Sequence, residues 1–144
     1  MNIEYESAFT TIMGRIMRQY HKATDKLVYQ YGLSSGQARV LLILNNKDGI
    51  KQKELSERLG ISAPSLTTLI DRMENNNLVR REPDASDGRA SRIHLTSKGL
   101  EIISKVNEVF SYIETESLKN FSVEERLLFR RLLMQMYNDM RDLS

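Results

Sequence analysis

Cysteine is missing from this 144-residue sequence, and its longest uninterrupted aliphatic run, VLLIL at 40–44, is short. The missing thiols exclude disulfides, thiolate metal sites, thiol redox switches and cysteine nucleophiles. A membrane span needs about 20 apolar residues, far more than this run supplies. The amino-terminal MNIEYESAF also lacks a basic region followed by an apolar core. We therefore expect a soluble, cytoplasmic protein without a membrane partner.

Histidine is also scarce, which leaves little material for catalysis. His21 and His94 are the only histidines and lie 73 positions apart. The sequence has no nucleophile motif and no glycine-rich phosphate loop, and its carboxylates lie mostly on helix faces among basic neighbours. We expect no enzymatic activity, no cofactor and no metal site.

Seven glycines and two prolines leave little room for disordered segments, so a helix-rich globular chain is favoured. The length suits a single domain, 1–144, that buries its own core. The net charge of +2, from 21 basic and 19 acidic residues, does not by itself indicate a nucleic-acid-binding protein. Support for such a function has to come from the local arrangement of residues.

Apolar residues at spacings of three and four predict helices at both ends of the chain. The first runs from about residue 4 to 30 and closes at Gly32, and a second, shorter helix follows it. Near the carboxyl end, a helix from Thr96 to about 118 precedes a last helix. Two of these helices are expected to begin with capping boxes, formed by Ser34 with Gln37 and by Ser122 with Glu125.

The middle of the chain holds two short predicted helices, 51–59 and 62–76, that form a helix-turn-helix pattern. The second helix of such a pair fits the DNA major groove. Its apolar residues fall on one side, which leaves Ser65, Thr68 and Arg72 as an outward stripe. A helical corner without any DNA role has the same apolar spacing, so the pattern alone leaves both interpretations open.

Two short extended segments after this pair flank the turn-rich PDASDG and predict a β-hairpin. A hairpin directly after a recognition helix is a wing, whose guanidinium groups pair phosphates or enter a narrow minor groove. The alternative is a solvated hairpin whose arginines pair with its own acidic residues. The expected fold is mainly α with a small β-hairpin wing, in the order α-α-α-α-β-β-α-α.

The residues that follow the helix-turn-helix give the pattern its specificity. The segment ELSERLGISAPSLTTLIDRMENNNLVRREPDASDGRASRIHLTSKG resembles the core of the MarR family of winged helix-turn-helix transcription regulators. The wing pattern carries the resemblance through Asp87, Arg89, Ile93, Leu95, Thr96 and Gly99. The sequence departs from the family at Asn77, where glycine is frequent, and at Gly88, where arginine is frequent. Asn77 tolerates a left-handed backbone, whereas Gly88 is expected to loosen the wing tip.

The resemblance implies a homodimer with two winged lobes that read a palindromic operator on double-stranded DNA. Residues 34–99 would form the DNA-binding lobe, and 1–33 and 100–144 the helical dimerisation region. The apolar surface of the last helix fits this independently, although simple packing within one chain is a serious alternative. The regulator would be a repressor that releases DNA when a small effector changes the spacing of its lobes.

The short residues near the start of the recognition helix let its backbone approach DNA. The candidate DNA-contacting residues of this helix are Ser62, Ala63, Pro64, Ser65, Thr67, Thr68 and Arg72. In the wing, Arg89 is expected to reach the minor groove while Asp87 steadies it. Arg80, Arg81 and Arg92 are second-rank phosphate candidates.

A small aromatic effector is the family-based expectation, and the missing cysteine excludes control by thiol oxidation. Aromatic and methionine residues of the first helix could line its site: Tyr5, Phe9, Met13, Met17 and Tyr20. Stripes of this kind more often pack in a core. The rival function is a helical protein-interaction module whose basic hairpin serves only solubility.

Overall fold

The computed structural model describes residues 2–144, which form six α-helices and one three-stranded antiparallel sheet. The elements are α1 Phe9–Val28, α2 Ser35–Asn46, β1 Ile50–Lys51, α3 Gln52–Leu59, α4 Ala63–Asn75, β2 Val79–Pro83, β3 Ser91–Leu95, α5 Ser97–Ser117 and α6 Val123–Arg141. The chain divides into two compact units, and the boundary lies inside α5, between Ser111 and Tyr112. The predicted division into a DNA-binding lobe and a dimerisation region stays a prediction.

The predicted mainly helical fold with a hairpin wing is confirmed, with two differences in detail. The first helix is shorter than the expected span from about residue 4 to 30, because Ala8 has an extended backbone and separates α1 from a single 3-10 turn. A second 3-10 turn, Tyr29–Tyr31, follows α1. The strand β1 was not predicted, because two residues are too few to give a periodic pattern.

The predicted helix ends agree most closely with the structure. Both predicted capping boxes are present, one on Ser34 and one on Ser122. Gly32 and Asn77 have φ angles of 72° and 59°, the left-handed conformation that ends a helix. Asparagine therefore serves at the end of α4 where glycine is more usual, because its backbone tolerates positive φ.

The first unit has a continuous apolar core beneath the helix-turn-helix. Leu55 of α3 and Ile70 of α4 are fully buried, as is Ile93 of the central strand β3. β3 pairs with both neighbours, so that Ile93 lies opposite Ile50 on one side and Arg81 on the other. This core fixes α3, α4 and the root of the wing against one another.

Gly99, in the first turn of α5, shows why the wing pattern ends in glycine. A Cβ atom at this position would collide with the carbonyl oxygen of Leu78, a backbone atom that has no room to move. The same carbonyl accepts a hydrogen bond from the amide of Thr96 at 3.1 Å. Glycine therefore allows α5 to begin directly against the start of the wing.

Both terminal helices expose apolar residues. Phe9 of α1 is 82% exposed, and α6 has no buried residue at all. Core packing within the chain, the simpler alternative for the α1 stripe, is therefore wrong for Phe9, Met13 and Met17. Among residues 2–144, no helix is both long and apolar enough to cross a membrane.

Candidate nucleic-acid interface

The amino-terminal turn of α4 is exposed and carries only small side chains. Ser62 caps this helix through its hydroxyl, which accepts a hydrogen bond from the Ser65 amide at 3.2 Å. Pro64 lies in the first turn, where its missing N–H is not needed. Ala63 and Thr68 are exposed beside them. The helix therefore presents a face on which another molecule can approach its backbone closely.

The two threonines of this helix differ in how much of their hydroxyl is available. Thr67 Oγ1 donates to the Ala63 carbonyl and accepts from Gln52 Nε2, each at 3.0 Å. Thr68 Oγ1 donates to the Pro64 carbonyl at 3.2 Å and has no other partner in the described chain. Thr68 therefore retains oxygen lone pairs for an outside donor, whereas Thr67 is engaged with α3.

Arg81 of β2 braces the wing against the helix-turn-helix. Its Nη1 contacts Asp71 at 2.6 Å and Glu74 at 2.5 Å, both on α4. Its Nε donates to Gln52 Oε1 of α3 at 3.3 Å. The Arg81 side chain is 22% exposed, less than either carboxylate partner. One guanidinium thus joins β2, α3 and α4, which makes good use of its five fixed donors.

Gln52 completes this brace and was not singled out from the sequence. It is the first residue of α3, and its amide group binds Thr67 through nitrogen and Arg81 through oxygen. No pattern along the chain marks it, because its partners lie 15 and 29 positions away. Only the three-dimensional fold shows that a glutamine is needed there.

Asp84 stabilises the wing turn, which is the segment 84–90 between β2 and β3. Its side chain is 2% exposed, and its Oδ2 accepts from the Ser86 hydroxyl at 2.7 Å and the Asp87 amide at 3.0 Å. Its Oδ1 accepts from Arg92 Nε at 2.5 Å. The Ser86 hydroxyl, and next the Arg92 guanidinium, hold the pKa of Asp84 well below its usual range. The turn is therefore built around a buried carboxylate.

The next acidic residue of the turn, Asp87, binds the backbone ahead of it. Its Oδ1 accepts from the Arg89 amide at 3.0 Å, and its carbonyl accepts from the Ala90 amide at 3.0 Å. Both hydrogen bonds span Gly88, and they oppose the loosening expected from it.

The predicted DNA-contacting arginines fall into two groups. Within residues 2–144, the side chains of Arg72 and Arg89 form no ion pair or hydrogen bond, and both residues are exposed. Arg80 pairs with Glu82, whereas Arg81 and Arg92 bind the carboxylates described above. Of these five arginines, two are therefore unpaired in the described chain, one on α4 and one in the turn between β2 and β3.

The residues suggested for an effector site lie on α1 and on the 3-10 turn before it. Phe9, Met13 and Met17 follow one another at four-residue intervals along α1 and are exposed, while Tyr20 is half-buried. Tyr5 lies in the preceding 3-10 turn. An open cavity of about 310 Å³ exists elsewhere, lined by Leu44, Asn45, Asp48, Leu95, Thr96, Ser97 and Leu100. None of the five suggested residues lines it.

The two histidines have different neighbours. His94 Nε2 lies 3.2 Å from Glu82 Oε2 and its Nδ1 lies 3.7 Å from Asp48 Oδ2. His21 stacks edge-on with Tyr20. Over residues 2–144, no three histidine or acidic side chains come together in a way that could hold a metal ion.

A capped helix-turn-helix, a three-stranded sheet and a following long helix define a winged helix-turn-helix protein. The MarR family model matches residues 31–90. The transcriptional regulator HosA of Escherichia coli O127:H6 is 34% identical over 106 residues, which cover 74% of this chain and 78% of HosA. The chain belongs to the MarR family, and it is a transcription regulator and not an enzyme.

Solved structures show the same fold. A MarR protein from Peptoclostridium difficile is 23% identical, with a TM-score of 0.90 over 99% of this chain and 94% of that one. MepR of S. aureus, solved as a MepR–DNA complex, is 22% identical, with a TM-score of 0.82 over 94% of this chain and 98% of that one. At this level of identity the likeness establishes the fold.

Removal of the Arg81 brace should destabilise the protein. Arg81→Ala leaves Asp71 and Glu74 without their shared cation and should lower the free energy of unfolding by about 2 kcal/mol. Arg80→Ala is the matched control, because Arg80 pairs only with exposed Glu82 and should change it by less than about 0.5 kcal/mol. Urea unfolding followed by circular dichroism measures both. Equal effects of the two substitutions would show that Arg81 is an ordinary surface arginine.

Acid should weaken the contribution of Asp84. An aspartate in the unfolded chain titrates near pH ~4, and the folded-state pKa of Asp84 is lower, so its stabilisation is fully present above the unfolded-state value. It is lost progressively as the pH falls through the folded-state pKa. Asp84→Asn never ionises, so the difference in free energy of unfolding between wild type and variant should shrink below about pH 4. A difference that is the same at every pH would contradict this.

Proposed function

We propose that this chain is a homodimeric, sequence-specific repressor that binds a palindromic operator in the cytoplasm and is released by a small aromatic effector. One observation carries the DNA-binding part of the proposal. The exposed amino-terminal face of α4 carries small side chains, and two exposed arginines without a partner in the described chain belong to neighbouring segments: Arg72 further along α4 and Arg89 in the turn between β2 and β3. Small residues at a helix start together with free cations suit a helix in the major groove.

The chemistry of the α4 face supports recognition of base edges. Thr68 offers a hydroxyl oxygen as acceptor, which suits the exocyclic amino groups of adenine and cytosine, and its methyl suits thymine. The Ser62 hydroxyl donates to the Ser65 hydroxyl at 2.9 Å, and both residues are exposed, so an outside partner can reach them. Ala63 and Pro64 add no bulk. We therefore assign the close approach to residues 62–68 and a phosphate contact to Arg72.

The wing supplies the second contact. Arg89 has an exposed side chain without a partner, on a turn whose backbone Asp87 fixes. This arrangement suits insertion of a guanidinium into a narrow minor groove beside the major-groove site. Arg80, Arg81 and Arg92 already have partners in the protein and are weaker candidates for phosphate contact.

Exposed apolar surface on the terminal helices supports the dimer. Phe9 and Ile16 of α1 are exposed, and so are Leu127 and Tyr137 of α6. A monomer that left all of these residues in water would forgo the free energy of burying them. A second copy of the chain supplies an identical apolar surface, and the two-fold symmetry of such a dimer explains a palindromic operator.

The effector proposal depends on the same dimer. Phe9, Met13 and Met17 are exposed in one chain, and they would become walls of a pocket if a second chain covered α1. Aromatic and thioether side chains suit a flat aromatic ligand. A ligand that binds one dimer shape more tightly than another shifts the population towards it and thereby changes the affinity for DNA.

DNA binding is tested by fluorescence anisotropy with mixed genomic DNA and then with sequences selected from it, titrated from low to high salt. The repressor proposal predicts binding with a steep salt dependence and a clear preference for selected palindromic sequences. Sedimentation of the free protein should show a dimer. A protein-interaction module would bind neither DNA sample in this way.

Arg89→Ala should weaken operator binding and flatten its dependence on salt. A guanidinium in the minor groove also displaces counterions from the DNA, so its loss should reduce the slope of log K against log salt by up to about 0.9. Lys105→Ala is a matched control, since Lys105 is an exposed cation of α5 paired with Glu108. The control should leave affinity and slope near their wild-type values. An unchanged slope in Arg89→Ala would rule out the wing contact.

A further inference from the structure

Arg92 fastens the turn between β2 and β3 to the body of the lobe. Arg92 lies in the central strand β3, where it is opposite Glu82 of β2 and Lys51 of β1. Its Nε donates to Asp84 Oδ1, and its Nη1 donates to the Gly49 carbonyl at 2.7 Å. Arg92 therefore joins the turn of the hairpin to the segment between α2 and β1.

We call the contacts of Arg92 with Asp84 and Gly49 the clamp, and further hydrogen bonds of Asp84 extend it into the turn. The oxygen of Asp84 that Arg92 does not use accepts from the Ser86 amide and hydroxyl and from the Asp87 amide. Asp87 in turn accepts from the Arg89 amide at 3.0 Å. An unbroken series of hydrogen bonds thus leads from the Gly49 carbonyl to the backbone of Arg89.

The position of Gly49 is itself fixed. Its φ of 71° is left-handed, its amide donates to the Ile93 carbonyl at 3.0 Å, and the ring of His94 leaves no space for a Cβ. The carbonyl that Arg92 binds therefore belongs to a backbone segment tied to the central strand. A clamp anchored on fixed backbone holds the turn more firmly than one that joins two mobile side chains.

We infer that Arg92 is a positioning residue: it orders the wing turn through Asp84 so that Arg89 meets DNA in a preformed conformation. This inference rests on the proposed DNA binding. An ordered turn saves the conformational entropy that a flexible wing would lose on binding. Arginine suits this position because its planar group donates in two directions at once, to a carboxylate and to a carbonyl.

The inference reverses the role that the sequence suggested for Arg92. A phosphate contact by Arg92 would act independently of Arg89. The losses of binding free energy from the two substitutions would then add, so that the factors by which affinity falls would multiply. A positioning residue acts through Arg89, so the two losses overlap. The two roles therefore differ in whether the losses of affinity combine or overlap, and this difference does not depend on how large either loss is.

A double-mutant cycle separates them. Operator affinity at one salt concentration is measured for wild type, Arg92→Gln, Arg89→Ala and the double variant. Arg92→Gln alone should lower affinity on the order of tenfold, and should have little further effect once Arg89 is alanine. Losses that multiply would overturn the inference, as would an unchanged affinity in Arg92→Gln. Arg92→Lys, which reaches only one of the two acceptors, should give an intermediate loss.

Hydrogen exchange on the DNA-free protein supplies the second readout. The amides of Ser86 and Asp87, which donate to Asp84, should exchange faster in Arg92→Gln, whereas the amides of α2 and α4 should not change. Unchanged exchange at the turn, or faster exchange throughout the lobe, would overturn the positioning role. Because this readout needs no DNA, it decides whether Arg92 orders the turn even if wild type fails to bind an operator.

Discussion

The guanidinium of Arg81 is the contact on which the arrangement of α4 and the wing depends. It binds carboxylates of α4 and the amide oxygen of Gln52 on α3 from its place in β2. A recognition helix and a wing contact one DNA duplex together only if their separation is fixed, and the apolar core sets that separation just at the root of the sheet. Beyond the core, Arg81 fixes the separation of β2 from α3 and α4 through its ion pairs and hydrogen bonds. Its burial beside two carboxylates is tolerable because they share its charge and it forms several hydrogen bonds.

In a chain with a net charge of only +2, the five arginines of α4 and the hairpin have different environments. Arg81 and Arg92 form ion pairs with partly or fully buried carboxylates, and Arg80 forms an exposed ion pair. Arg72 and Arg89 remain unpaired. The electrostatic potential at a protein surface depends on such local placement more than on the sum of charges. Residues that looked alike along the sequence therefore divide into those that build the surface and those that face outward.

What the sequence predicted well was local. The capping boxes of Ser34 and Ser122, the left-handed Asn77 and the hairpin each depend on residues a few positions apart. The brace at Gln52, the short strand β1 and the clamp to Gly49 join residues up to 43 positions apart, and no pattern in the chain records them. Spacing also failed to distinguish a buried face from an exposed one: the stripe containing Phe9 has the period of a buried face and yet is exposed in the single chain.

Hydroxyl-radical footprinting of an operator selected by this protein tests most directly whether α4 and the wing read DNA as a symmetric pair. A dimer of winged lobes predicts two protected half-sites related by two-fold symmetry, with centres separated by about one helical turn or a multiple of it. Each half-site should show minor-groove protection on its outer flank, and Arg89→Ala should remove that flank alone. A single protected segment, or a flank that survives Arg89→Ala, would contradict the assignment of α4 and the wing.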